Sequence, residues 1–140
     1  MVTNGFVGFG RRFIAYAIDI IIIILFTTVL TTALIAIVVA LELDSLDVTT
    51  IYLGIYFMVY ISYFIFTESS AKQATFGKLI MKIKVVNSDG DRLSVLNSTI
   101  RNFGRILSGL ILGLGYIMIV FTPKKQALHD KIAKTYVVNR

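Results

Sequence analysis

Asp19 is the residue whose setting asks most of chemistry. It follows Arg11 and Arg12 in the stretch Gly8 to Ile20, GFGRRFIAYAIDI, and no further charge occurs from Ile20 to Leu41. A carboxylate inside an apolar run costs about 2.5–3.5 kcal/mol on membrane-insertion scales, so it needs a partner, a proton or a function. Arg12 lies seven residues earlier, nearly two helical turns, which puts the two side chains on one face but about 10 Å apart along the axis. Arginine near a helix end also snorkels outward, away from Asp19. The partner of Asp19 is therefore expected from another segment, either Arg101 or Arg105 or a tyrosine of the second apolar run.

That second run carries Tyr52, Tyr56, Tyr60 and Tyr63 at spacings of four, four and three, along one helical face. Tyr52 and Tyr63, near the ends, suit interfacial anchoring. Tyr56 and Tyr60 lie deeper, where a phenol in hydrocarbon wants a hydrogen-bond partner. Two readings stay open for them: packing, or facing the first helix to donate to Asp19 or line a polar path.

Other chemistry finds little support. The chain has no cysteine and one histidine, which argues against thiolate and zinc sites, so no metal and no cofactor is expected. His129 and Asp130 are adjacent, so on a helix their side chains diverge, and no nucleophile is spaced to use them. The fragment Thr75-Phe76-Gly77-Lys78 lacks the upstream glycine and the following Ser/Thr of a phosphate loop. An enzyme is not expected.

The elements that position these residues follow from composition and charge. With 140 residues, 56% of them hydrophobic, the chain is too apolar for a soluble domain of its length and reads as an α-helical integral membrane protein. Its 14 Lys+Arg against 8 Asp+Glu flank the apolar blocks instead of forming a basic face. The bilayer, not nucleic acid, is the expected partner. Arg11-Arg12 before an apolar run can imitate a cleaved signal, but Asp19, the length of the run and the lack of an A-x-A site point to a retained span.

The first span is expected over residues 13–41 and the second over 48–66, joined by a loop whose charges are Glu42, Asp44 and Asp47. The positive-inside rule places the N-terminus in the cytoplasm and this loop outside. Residues 71–95 read as a cytoplasmic amphipathic helix, Ala71 to Met81 with Phe76, Leu79 and Ile80 as its apolar contacts, followed by a β-hairpin. The hairpin pairs Lys82–Val86 with Arg92–Val95 across the turn Asn87-Ser88-Asp89-Gly90. Ser94 is a suitable N-cap for the next helix.

Residues 96–121 form a third membrane segment. The tail, 122–140, carries Lys124, Lys125, Lys131, Lys134 and Arg140 against Asp130 alone, which again reads as cytoplasmic. A single crossing would put the tail outside, so a re-entrant helix-break-helix around Gly109, Gly113 and Gly115 is favoured. Gly109 and Gly113 also form a GxxxG pair, weak evidence for close helix packing. Thr135 to Val138 is a short β-type run able to add a strand to the hairpin.

Three blocks, GFGRRFIAYAIDI, ATFGKLIMKIKVVNSDGDRLSVLNSTIRNFGR and KKQALHDKIAKTYVV, together resemble the RDD family of small bacterial membrane proteins, named for one arginine and two aspartates. The resemblance covers nearly the whole chain as a single domain. By position, Arg12 is similar to the family arginine, Asp19 to the first aspartate and Asp130 to the second, while Gly77-Lys78, Gly90, Arg101-Asn102 and Thr135 also match the pattern. The resemblance implies transport of ligands not yet defined.

Arg12 is expected to pair with Asp130, tying the tail to the first helix. Arg101, Arg105, Tyr56, Tyr60 and Lys78 are the candidate partners within the site. The leading functional expectation is ion- or proton-coupled transport by an oligomer in the cell membrane, with both termini cytoplasmic and Asp19 binding a proton or small cation. The other is a non-catalytic adaptor that binds a larger membrane protein.

Overall fold

The computed structural model describes residues 5–41, 47–110 and 114–140. Two long helices lead the chain, α1 over Phe9–Ala40 and α2 over Val48–Glu68. Both are apolar on all sides and long enough to cross a bilayer. In hydrocarbon the backbone has to satisfy its own hydrogen bonds, which makes helix the outcome for such runs despite their many β-branched residues. Asp47 starts α2 as an N-cap, accepting from the amides of Thr49 and Thr50. The buried residues of α1, Ala15, Asp19, Ile23, Thr27 and Thr31, recur every four positions and define the stripe that meets the rest of the protein.

After α2 come a short helix, α3 (Phe76–Ile80), and a strand, β1 (Ile83–Asn87). The second half repeats this order in shorter form: α4 (Val95–Leu110), α5 (Leu114–Phe121), α6 (Leu128–Ile132) and β2 (Thr135–Asn139). Strands β1 and β2 pair antiparallel with Val85 opposite Val137 at the centre. The units α3–β1 and α6–β2 match in detail. Their N-caps have φ/ψ of −71/170° at Thr75 and −77/171° at Ala127, and each helix leaves through a left-handed lysine, Lys82 at φ 53° and Lys134 at φ 51°. The two helix–strand units thus repeat one local geometry and pair across the sheet.

Several expectations need correction. Residues 92–95 do not form a strand, although the reversal is present, with Gly90 at φ 93° and Asn87 Oδ1 accepting from the amides of Asp89 and Asp91. One edge of β1 is taken by β2, and on the other the Gln73 carbonyl takes the Val85 amide at 2.8 Å, which leaves the returning chain a single rung, the Asn87 amide to the Asp91 carbonyl at 3.0 Å. Arg92–Ser94 instead lead into α4, where the Ser94 hydroxyl caps the Asn97 amide. The surface helix is confined to five residues, with Phe76 and Ile80 half exposed. The third apolar segment is two helices, and residues 111–113 between them, including Gly113 of the GxxxG pair, lie outside the described residues. A Cβ on Gly109 would meet nothing within 4 Å, whereas one on Gly115 would meet Ser108 Oγ at 2.6 Å, so α4 and α5 fold back on each other at Gly115.

The N-terminal residues join the sheet. Val7 donates to Val137 and Asn139 to Gly5, alongside the free edge of β2. Val7, Ala15, Ile83, Val85, Leu93 and Val137 form the small apolar core beneath it. Helix α4 is built inside out for a soluble helix: Ser98, Arg101, Asn102, Arg105 and Ser108 are buried while Ile100, Phe103, Leu107 and Leu110 face outward. That distribution suits a helix whose outer face meets lipid and whose polar face meets protein.

Candidate functional site: a layer of buried charge

Three carboxylates, Asp19, Glu68 and Asp130, are fully buried between the helices and the sheet. Asp19 is satisfied entirely by neutral donors. Its Oδ1 accepts from the Tyr63 hydroxyl and the Gly77 amide, both at 2.7 Å, and its Oδ2 accepts from the Thr75 hydroxyl at 2.6 Å. The Tyr63 oxygen in turn accepts from the Phe76 amide at 3.0 Å. Asp19 thereby joins α1 to the end of α2 and the start of α3. Close approach is possible because residue 77 is glycine: a Cβ there would lie 2.0 Å from the Ala15 carbonyl oxygen.

Glu68 closes α2 and meets three cations. Lys78 Nζ pairs with Oε1, Arg105 Nη2 lies 2.9 Å from the same oxygen, and Arg101 Nε lies 3.1 Å from Oε2. The Arg105 guanidinium also stacks over Phe64, 4.3 Å from the ring centre. Asp130 is held by Arg12 Nη1 at 2.5 Å and Arg101 Nη1 at 2.8 Å, and its Oδ2 accepts from the Ala127 amide at 3.0 Å, closing the first turn of α6. Arg12 further donates to the Val7 and Lys125 carbonyls. The charges therefore alternate along one chain of contacts: Arg12, Asp130, Arg101, Glu68, then Lys78 and Arg105.

Burial raises the Asp130 carboxyl, but Arg101 and Arg12 outweigh it and hold the group well below the usual carboxylate range. His129 is pushed down to about 3, because burial and the nearby arginines outweigh the attraction of Asp130. Burial lowers Lys78 to about 8 against the opposing pull of Glu68. Among the described residues no three of His, Asp and Glu converge as a metal ion would require.

The structure pairs Arg12 with Asp130, and it supplies Asp19 with a tyrosine of the second span, as the sequence led us to expect. That tyrosine is Tyr63, not Tyr56 or Tyr60. Tyr60 shares a 3.3 Å hydroxyl contact with Tyr16, and Tyr56 stacks between Tyr52 and Tyr60. Arg101, Arg105 and Lys78 do not pair with Asp19, because Glu68 draws all three. Glu68 is the residue that sequence reasoning missed. Its signal is present: it is the first charge after the second apolar run, in a stretch whose later charges are mostly basic.

Two apolar helices joined to a sheet-centred body through a layer of buried charge define a small helical membrane protein. The sequence model of the RDD family matches residues 6–134, and the chain belongs to that family. It is 46% identical over 81 residues to Uncharacterized protein YxaI of Bacillus subtilis (strain 168), a match covering 58% of this chain and 53% of that protein. This match thus spans about half of that relative's length. Across 99% of the chain it is 28% identical to Uncharacterized membrane protein YteJ of the same organism, covering 84% of it. Uncharacterized protein RP437 of Rickettsia prowazekii (strain Madrid E) is 36% identical over 81 residues, which is 58% of this chain and 44% of that protein. No solved structure matches the chain.

Proposed function

We propose that the protein takes part in ion- or proton-coupled transport, as an oligomer, with Asp19 as the carboxylate that exchanges a proton or small cation. The observation that supports this reading is the contrast among the three buried carboxylates. Glu68 and Asp130 are each bound by at least two cationic side chains, whereas Asp19 forms no ion pair among the described residues. A buried carboxylate with no cationic partner is the kind of intramembrane acid that marks ion routes.

The uncharged run from Ile20 to Leu41 is 22 residues, about 33 Å of helix, which already matches the hydrocarbon thickness. Asp19 then belongs at the cytoplasmic boundary of the span, closer to the surface than its place in the sequence implies. The N-terminal residues, β1 and the C-terminal strand meet in one sheet, which favours both termini on one side of the membrane and α4–α5 as a re-entrant pair. Two full spans make a narrow pathway, so assembly of several copies belongs to the proposal.

The test is flux of protons or sodium into vesicles carrying purified protein. Asp19→Asn keeps an acceptor for Tyr63 and Gly77 and should abolish flux without reducing folded yield, while Asp19→Glu should retain part of it. Wild-type flux equal to that of empty vesicles would sink transport and leave the non-catalytic adaptor, for which a stoichiometric partner should be recovered from native membranes.

A further inference from the structure

The stripe of α1 that carries Asp19 continues toward the loop as Ile23, Thr27 and Thr31, all buried. Successive members are about 6 Å apart along the axis. Thr27 behaves as a threonine in a membrane helix usually does: its hydroxyl donates to the Ile23 carbonyl at 2.7 Å. Thr31 does not. Its Oγ1 is buried with no hydrogen-bond partner among the described residues. Beside it, between α1 and α2, lies an open groove of about 330 Å³ in which Thr28, Thr31, Thr32, Thr49 and Tyr52 alternate with the apolar Ile35 and Val48.

An unpaired hydroxyl in a dry interior costs a few kcal/mol, and this one adjoins a space with room for several waters at about 30 Å³ each. Three further threonines, Thr28, Thr32 and Thr49, and Tyr52 lie around the same space. Neutral oxygens of this kind replace the hydration shell of a proton or monovalent cation without trapping it as a carboxylate would. Between the groove and Asp19 stands Ile23, 1% exposed and purely apolar.

We infer that the threonine-bearing groove between the middle of α1 and the start of α2 is a water-filled vestibule for a small cation or proton, closed off from Asp19 by Ile23. The inference rests on the transport reading but is tested separately from it. The chain has no cysteine, so single-cysteine variants report one position each. Thr31→Cys, with Thr28→Cys as a second variant should the first fail to accumulate, is exposed in vesicles to a cationic, membrane-impermeant methanethiosulfonate on the loop side. Leu25→Cys, on the exposed apolar face of α1, is the control.

A thiol reacts as the thiolate, which forms in water and not in hydrocarbon, so modification at Thr31 or Thr28 should be at least roughly tenfold faster than at Leu25. Ile23→Cys should remain unmodified. Modification of Thr31→Cys no faster than of Leu25→Cys would mean that acyl chains fill the groove and would overturn the vestibule, whatever the flux of Asp19→Asn. Rapid modification of Ile23→Cys would overturn the closure. Labelling at Thr31 with wild-type flux no greater than that of empty vesicles would keep the water-filled space and remove the transport reading.

Discussion

Asp130 Oδ1 lies 2.8 Å from Nη1 of Arg101, and through this pair the C-terminal helix α6 is joined to α4. The same guanidinium presents its Nε to Glu68, so among the described residues Arg101 is the one cation shared by two buried carboxylates. Removing it should leave both acids short of a counter-charge in a dry setting. Arg101→Ala is expected to destabilise the protein by about 3–5 kcal/mol, the usual cost of breaking a buried pair from one side. Thermal unfolding in detergent measures this, and Arg101→Lys should lie between the two because an ammonium cannot span both acids at once.

The tie between Arg12 and Asp130 invites a charge exchange. Arg12→Asp alone and Asp130→Arg alone should each lower folded yield, since each places like charges together. The double exchange should restore little of it, because residue 130 also faces Arg101 and an arginine there would meet a second guanidinium. Full rescue by the double variant would show that the contact with Arg101 contributes little.

Gly77 is a steric requirement. A Cβ would lie 2.0 Å from the Ala15 carbonyl oxygen and 3.0 Å from Asp19 Oδ1, so α3 has to move away from α1 to accept it. Gly77→Ala should destabilise by about 1–3 kcal/mol or more, as overpacking does. It should also weaken the amide bond to Asp19. Gly8→Ala, with open space around the added carbon, is the matched control; equal melting temperatures for the two variants would contradict the contact.

The buried histidine gives an acid-side prediction. His129 falls to about 3 in the folded protein from an ordinary 6.5, so the unfolded chain binds more protons between those values. Stability is complete above about pH 6.5 and is lost as the pH falls through the window. Asp130, held below its ordinary value, adds loss in the same direction at the most acid end. Melting in detergent between about pH 4.5 and 7.5 should show the decline, and His129→Gln should flatten it.

The long apolar runs, the cap at Ser94 and the pairing of Arg12 with Asp130 were legible because each depends on local pattern or on charge that has few alternatives. The hairpin was misread for a reason the local sequence does not carry. Asn87 to Gly90 does encode a reversal, but the pairing stops after the Asn87–Asp91 rung, because Gln73 takes the Val85 amide on that edge and Thr135–Asn139 hold the other. Glu68 was passed over because its three partners come from two later segments whose mutual placement only the packed helices establish.

By itself the sequence determined the class of this protein, two long apolar helices flanked by charge with Asp19 inside the first, because the preference of such runs for lipid follows from their composition and length. Only the tertiary structure decided which acid meets which base. Two buried carboxylates compete for the same arginines and lysine, and the competition is settled by distances of a few ångströms: Glu68 and Asp130 take the cations, and Asp19 is left with a phenol, a hydroxyl and a backbone amide.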